Sequence, residues 1–143
     1  MPSDVVLAYL QEAMVEAVLL QRNLPGGDWP VVLPDLGCLL REDRVLLADE
    51  NLAETVSFSG APVSVHVQSL DAIREQARAL GQVAFLHFQP AEICESVIRI
   101  TLQAKIAPQD PDQRALGLSG IQVQFEEKAD GWQAAAGPVF FAA

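Results

Sequence analysis

The eleven residues Ser96-Val-Ile-Arg-Ile-Thr-Leu-Gln-Ala-Lys-Ile106 constrain the fold more than any other stretch of the chain. Ser96, Ile98, Ile100, Leu102, Ala104 and Ile106 share one parity, and Val97, Arg99, Thr101, Gln103 and Lys105 share the other. Successive side chains of an extended backbone point to opposite faces, so this alternation specifies a strand with one face on a core and the other polar. Gly120-Ile-Gln-Val-Gln-Phe-Glu126 repeats the pattern, with Ile121, Val123 and Phe125 inward. Val83-Ala-Phe-Leu-His-Phe88 is apolar on both parities, which predicts a central or sandwiched strand ended by Pro90. Lys128-Ala-Asp-Gly131 predicts a hairpin turn with Gly131 at a positive φ, and Trp132 opens the last strand. Residues 82–136 thus read as a four-stranded antiparallel meander.

The rest of the chain must pack against that sheet. Ser3 is a good N-cap, and Asp4 sits in the first turn, where the helix dipole favours an acid. A helix follows to about residue 21. Val6, Leu7, Leu10, Ala13, Met14, Ala17, Val18 and Leu20 cover most of its circumference, and Asp4, Ala8, Gln11, Glu12 and Glu16 leave a narrow polar stripe. Such a helix is largely buried. Asn23-Leu-Pro-Gly-Gly27 stops it; no Lys-Ser/Thr follows and no strand precedes, so the glycine pair is not a phosphate loop. In 28–62, Cys38-Leu-Leu40 and Val45-Leu-Leu47 flank a charged run and read as a short hairpin. Val63, Val65 and Val67 point inward on the next strand, with Ser64 and His66 outward. Ser69 caps a second helix over 70–80 that ends at Gly81, with Ile73, Ala77 and Leu80 on one face. Helices segregated on one face of an antiparallel sheet make an α+β domain. Val139-Phe-Phe141 predicts a tail that packs down or pairs with another chain.

With 143 residues, half of them hydrophobic, the chain has the size and interior of one domain. Its net charge is −10, and residues 1–60 hold 10 acids against 3 bases. Nine Lys/Arg scattered along the chain offer no basic patch, which disfavours nucleic acid and anionic membrane surfaces as partners. Cys38 and Cys94 form no metal-finger spacing and read as buried thiols. The N-terminal apolar run lacks a basic leader and is broken by Gln11, Glu12 and Glu16, which argues against a signal peptide or a membrane span and for a cytoplasmic protein.

The ending, from Leu118-Ser-Gly-Ile121 to the Asp130-Gly-Trp132 hairpin, resembles the cystatin-like α+β rolls of the nuclear-transport-factor-2-like superfamily. The stretch from Ala48-Asp-Glu-Asn-Leu52 to Val83-Ala-Phe-Leu-His-Phe88 resembles uncharacterised bacterial proteins of similar length. The resemblance implies helices packed into the concave face of a curved sheet. It does not imply one function, because such rolls include isomerases, dehydratases, subunits of larger enzymes and binding modules.

Candidate chemistry is sparse. His87 shares parity with Val83 and Phe85; in an apolar pocket it would act as a general base near neutral pH, and on an open polar face beside Arg99, Thr101 and Gln103 it would not. Tyr9 is the one tyrosine and could lend a hydroxyl from the buried helix. Glu92 and Glu95 flank a turn, and Asp49-Glu-Asn-Leu-Ala-Glu54 lacks the spacing of a calcium loop and reads as a solvated loop. Arg99, Thr101, Gln103, Gln122 and Gln124 form a polar sheet face that could pair two copies in a homodimer. No cofactor or metal motif is present. The sequence favours a non-enzymatic binding or interaction module. One alternative is an isomerase or lyase that holds a small apolar ligand against His87; the other is an acidic accessory subunit of a larger complex.

Overall fold

The alternation holds through the middle of the central strand, where Ile98, Ile100, Leu102 and Ala104 are all fully buried, and ends at its two limits, where Ser96 is exposed and Ile106 half-buried. The computed structural model describes residues 4–20, 24, 39–40, 44–58, 64–110, 112–135 and 139–142. The elements are α1 (Asp4–Leu20), β1 (Arg44–Ala48), β2 (Ser64–Gln68), α2 (Leu70–Leu80), β3 (Val83–Phe88), β4 (Glu92–Cys94), β5 (Val97–Ala107), β6 (Leu116–Lys128), β7 (Gly131–Ala134) and β8 (Val139–Ala142). The residues expected to stop α1, apart from Leu24, lie outside the described residues, as do Cys38, Val63 and the 137–138 break.

The strands form one curved, mainly antiparallel sheet in the order β2-β1-β3-β5-β6-β7, an α+β fold. The expected meander is β3, β5, β6 and β7, and Gly131 takes the positive φ, at 117°. Two short strands extend it. β4 pairs with the start of β5, and β8 pairs with β6 from Ser119 to Gln122. The Val139–Phe141 tail therefore docks on its own sheet. Phe141 lies over Gly120, where a Cβ would stand 2.3 Å from the ring. Glycine gives that ring its seat.

The expected hairpin at Val45–Leu47 does not form. β1 pairs in parallel with β2 on one side and with β3 on the other, so neither of its edges remains for a neighbour from 38–40. β2 is an edge strand. Its valine alternation does not bury it, and Val67 stays exposed.

The helices lie on opposite faces of the sheet, not on one. Leu10, Met14, Val15 and Val18 of α1 pack with Val45, Leu47, Leu86, Phe88, Ile98, Ile100, Leu102, Ile121, Val123 and Phe125. Ile73 and Ala77 of α2 pack with Ala48, Val83, Phe85 and Ala107. The double-sided apolarity of β3 is the reason: Leu86 and Phe88 serve one core, Val83 and Phe85 the other. α2 begins at Ser69, whose hydroxyl accepts from the Ala72 N–H, and ends at Gly81 with φ 95°. Leu80, at its last turn, is exposed rather than packed.

α1 also departs from its expected polar stripe. Ala8 and Gln11 are buried, while Tyr9 and Val5 face outward. Gln11 turns inward because it holds a backbone segment. Its Nε2 donates to the Asn51 carbonyl at 2.8 Å, and its Oε1 accepts from the Ala53 N–H at 2.9 Å. About two turns earlier, the Asp4 carboxylate accepts from the Glu54 and Thr55 N–H groups and from the Thr55 hydroxyl. The acidic segment 49–54 is a solvated turn, with Asp49, Glu50, Asn51 and Glu54 exposed, and α1 pins its backbone beside the end of β1.

Candidate functional site

The parallel strands β1 and β3 deliver two groups to the same end of the sheet. Glu50 is the second residue after β1. His87 is the next-to-last residue of β3, on the face shared by Val83 and Phe85. Four bonds set the Glu50 turn in place. The Asp49 N–H donates to the Gln68 carbonyl, Gln11 clamps Asn51 and Ala53, and Asn51 Nδ2 donates to the Phe88 carbonyl at 2.9 Å. Asn51 adopts φ 64°, a left-handed conformation that Asn tolerates better than most residues.

β5 supplies the third group. Its pairing with β6 steps from Ala104–Ser119 to Lys105–Gly117, so Leu118 is an extra residue and the sheet is bulged beside Lys105. The extra residue lies on β6, and the β3–β5 register runs unbroken past Lys105. Gln103 lies directly opposite His87, and Lys105 lies two residues further along the same face, within diagonal reach.

His87 is 8% exposed, and both of its ring nitrogens are engaged. Nε2 lies 3.0 Å from Glu50 Oε1, and Nδ1 lies 2.8 Å from Lys105 Nζ. An ammonium can only donate and a carboxylate can only accept. The imidazole is therefore neutral, with its proton on Nε2 donated to Glu50 and its Nδ1 lone pair accepting from Lys105. Burial, followed by the Lys105 charge, holds the His87 pKa below the usual histidine value, against the opposing pull of Glu50. Burial also lowers the Lys105 pKa, again partly offset by Glu50.

His87 and Lys105 line a cavity of about 550 Å³ between α2, β3, β5 and the segment after β5. Leu70, Ile73, Phe85 and Ala107 give it apolar walls, and Arg74, Arg78 and Asp110 stand around it. Drug-sized ligands occupy cavities of about 300–1,000 Å³. His87 stands on the sheet face that carries Arg99, Thr101 and Gln103, but it lines a cavity there and does not lie in open solvent. Its lone pair is already taken by Lys105, so the group that can meet a ligand with a movable proton is Lys105.

Tyr9 is not part of this site. It is 53% exposed on α1, and α1 covers the opposite face of the sheet. Glu92 pairs with Arg99 at 2.9 Å, and Glu95 is exposed in the β4–β5 turn. Cys94 is exposed, not buried. His66 is half-buried and lines a second cavity of about 400 Å³ with Arg44, Leu46 and Gln68. Arg99, Thr101, Gln103, Gln122 and Gln124 do share one face, where they largely bond one another and their neighbours. Arg99 donates to Gln124, Gln122 donates to Thr101, and Gln89 donates to Gln103. Among the described residues, no group of three or more His, Cys, Asp or Glu is placed to hold a metal, and no helix is long and apolar enough to cross a membrane.

Sequence reasoning did not single out Glu50, Lys105 or Gln11. Lys105 counted as one more outward residue of β5, and Glu50 as part of an acidic loop. The available signal was scarcity: Lys105 is one of two lysines in the chain, and it sits on a strand whose other ionisable residue is Arg99.

No family model, curated protein or solved structure matches the chain.

Proposed function

We propose that this chain is a small-molecule enzyme of the isomerase or lyase kind, with Lys105 as the acid–base group that meets the ligand and His87 as the acceptor that holds its proton. The observation that carries this reading is the chain Glu50–His87–Lys105 at the wall of the 550 Å³ cavity. His87 is buried between the two charges, Lys105 is half-buried, and the Glu50 side chain is 53% exposed. A neutral imidazole between a carboxylate and an ammonium can accept the ammonium proton while Glu50 offsets the charge that develops. General acid–base transfer of this kind contributes about 10²- to 10⁴-fold in rate. The mixed lining suits a ligand with a polar reacting group and an apolar body.

A fragment screen read by backbone and side-chain NMR shifts tests the reading. Binders should perturb Phe85, His87, Lys105 and Ala107 together, and Lys105→Met should weaken them. Binders that cluster on another surface would count against it.

A second reading, a binding module that pairs two copies through its sheet, draws support from one observation. Arg99, Thr101, Gln103, Gln122 and Gln124 share one sheet face and stay half-buried or exposed there. Sedimentation velocity of the wild type and of Thr101→Arg distinguishes the two readings, because only a sheet-face dimer would dissociate on that substitution.

A further inference from the structure

We propose that Lys105 condenses with a small aldehyde or ketone in the α2–β3–β5 cavity to form a protonated imine. The proposal rests on the acid–base reading of this site and adds to it the substrate class and a covalent step.

Three features converge on the Lys105 amine. Its Nζ lies 2.8 Å from His87 Nδ1, an acceptor already oriented by the Nε2 contact to Glu50. Its stem is half-buried against Phe85, its direct cross-strand neighbour, and next to the Ile73 and Ala107 walls. Its tip faces a cavity large enough for a ligand. An amine becomes a nucleophile only when its proton has somewhere to go and water does not stabilise the ammonium. His87 Nδ1 meets the first, and the half-buried setting of Lys105 goes part of the way to the second.

The step balances without an outside reagent. The ammonium proton passes from Nζ to Nδ1 of His87, leaving an imidazolium whose Nε2–H still donates to Glu50. The Nζ lone pair adds to the carbonyl carbon as the C–O π bond breaks, and an Nζ proton moves to that oxygen to give a carbinolamine. The imidazolium then returns its proton to the hydroxyl. Water leaves with the C–O electron pair as the nitrogen lone pair closes the C=N bond. One ammonium and one carbonyl become one iminium and one water, with no change in net charge or oxidation state.

The composition of the chain makes the test direct, because Lys105 and Lys128 are its only lysines. Lys128 is exposed in the last hairpin, paired with Glu126, and serves as the internal reference. Folded protein is treated with butanal and sodium cyanoborohydride, which reduces an imine to a stable secondary amine, and alkylation at each lysine is followed by peptide mass mapping. Lys105 should alkylate at least tenfold faster than Lys128. His87→Gln should bring that ratio down toward one without changing the Lys128 rate, with folding checked by circular dichroism. Equal rates at the two lysines in the folded wild type would overturn the imine. Fragments that bind the cavity while Lys105 shows no preference would leave the acid–base reading standing and remove only the covalent step. Absence of cavity binding together with equal rates would remove both.

Discussion

Gln11→Met isolates the link between the long helix and the site. The side chain of Gln11 is fully buried and makes two bonds to the 51–53 backbone, at 2.8 and 2.9 Å. Methionine preserves length and packing but neither bond. The Ala53 N–H is then a buried donor with no replacement partner, which costs about 1–3 kcal/mol, and loss of the second bond adds about 1 kcal/mol. Allowing for the apolar gain of methionine, the net loss is about 2–3 kcal/mol. With an unfolding entropy of roughly 2.1 cal/mol/K per residue, a chain of this size should lose about 7–10 °C in Tm. Urea denaturation should show a lower midpoint at an unchanged slope. The same substitution loosens the turn that carries Glu50. The Glu50 contact raises the His87 pKa, so that pKa should fall further in the variant. A Tm within 2 °C of wild type would refute the reasoning, because it would mean that the buried amide holds nothing.

Two further outcomes test other parts of the fold. Gly120→Ala places a Cβ 2.3 Å from the Phe141 ring and 3.0 Å from the Leu102 carbonyl, so β8 should detach, with a loss of about 1–3 kcal/mol and faster hydrogen exchange at 139–142; in a Phe141→Ala background most of that loss should disappear. Asp4 is held below the usual carboxylate pKa by its bonds to Thr55 and Glu54, so its contribution is present above the ordinary carboxylate range and is lost as pH falls through its lower folded value. Asp4→Asn should therefore lower stability at neutral pH, and the gap to wild type should close on acidification when both are followed by thermal melts.

The readable part of this fold was the part written in local periodicity. Ile98, Ile100 and Leu102 could be assigned to a core because a half-buried strand repeats every two residues, and α2 could be bounded because Ser69 and Gly81 carry their own capping chemistry. The two-sided apolarity of β3 was legible as well, but not its consequence, that α1 and α2 take opposite faces. Parallel pairing of β1 with β2 and β3 leaves no mark on a five-residue strand. The site was the least legible. His87 meets Glu50 across 37 positions and Lys105 across 18, and both meetings depend on strand register. Gln11 looked like solvent surface because its burial is explained only by the backbone that it holds.

The protonation state of His87 tests the central claim most directly. Long-range ¹H–¹⁵N correlation spectra across a pH titration report both the tautomer and the pKa of the ring. The account predicts a neutral imidazole with its proton on Nε2 and its lone pair on Nδ1 at neutral pH, titrating below the ordinary histidine value of 6.5. Between 6.5 and that lower value the unfolded chain binds more protons than the folded one, so stability should also decline as pH falls through this window. A proton on Nδ1, or a pKa at or above 6.5, would mean that Lys105 does not donate to His87 and would contradict the account.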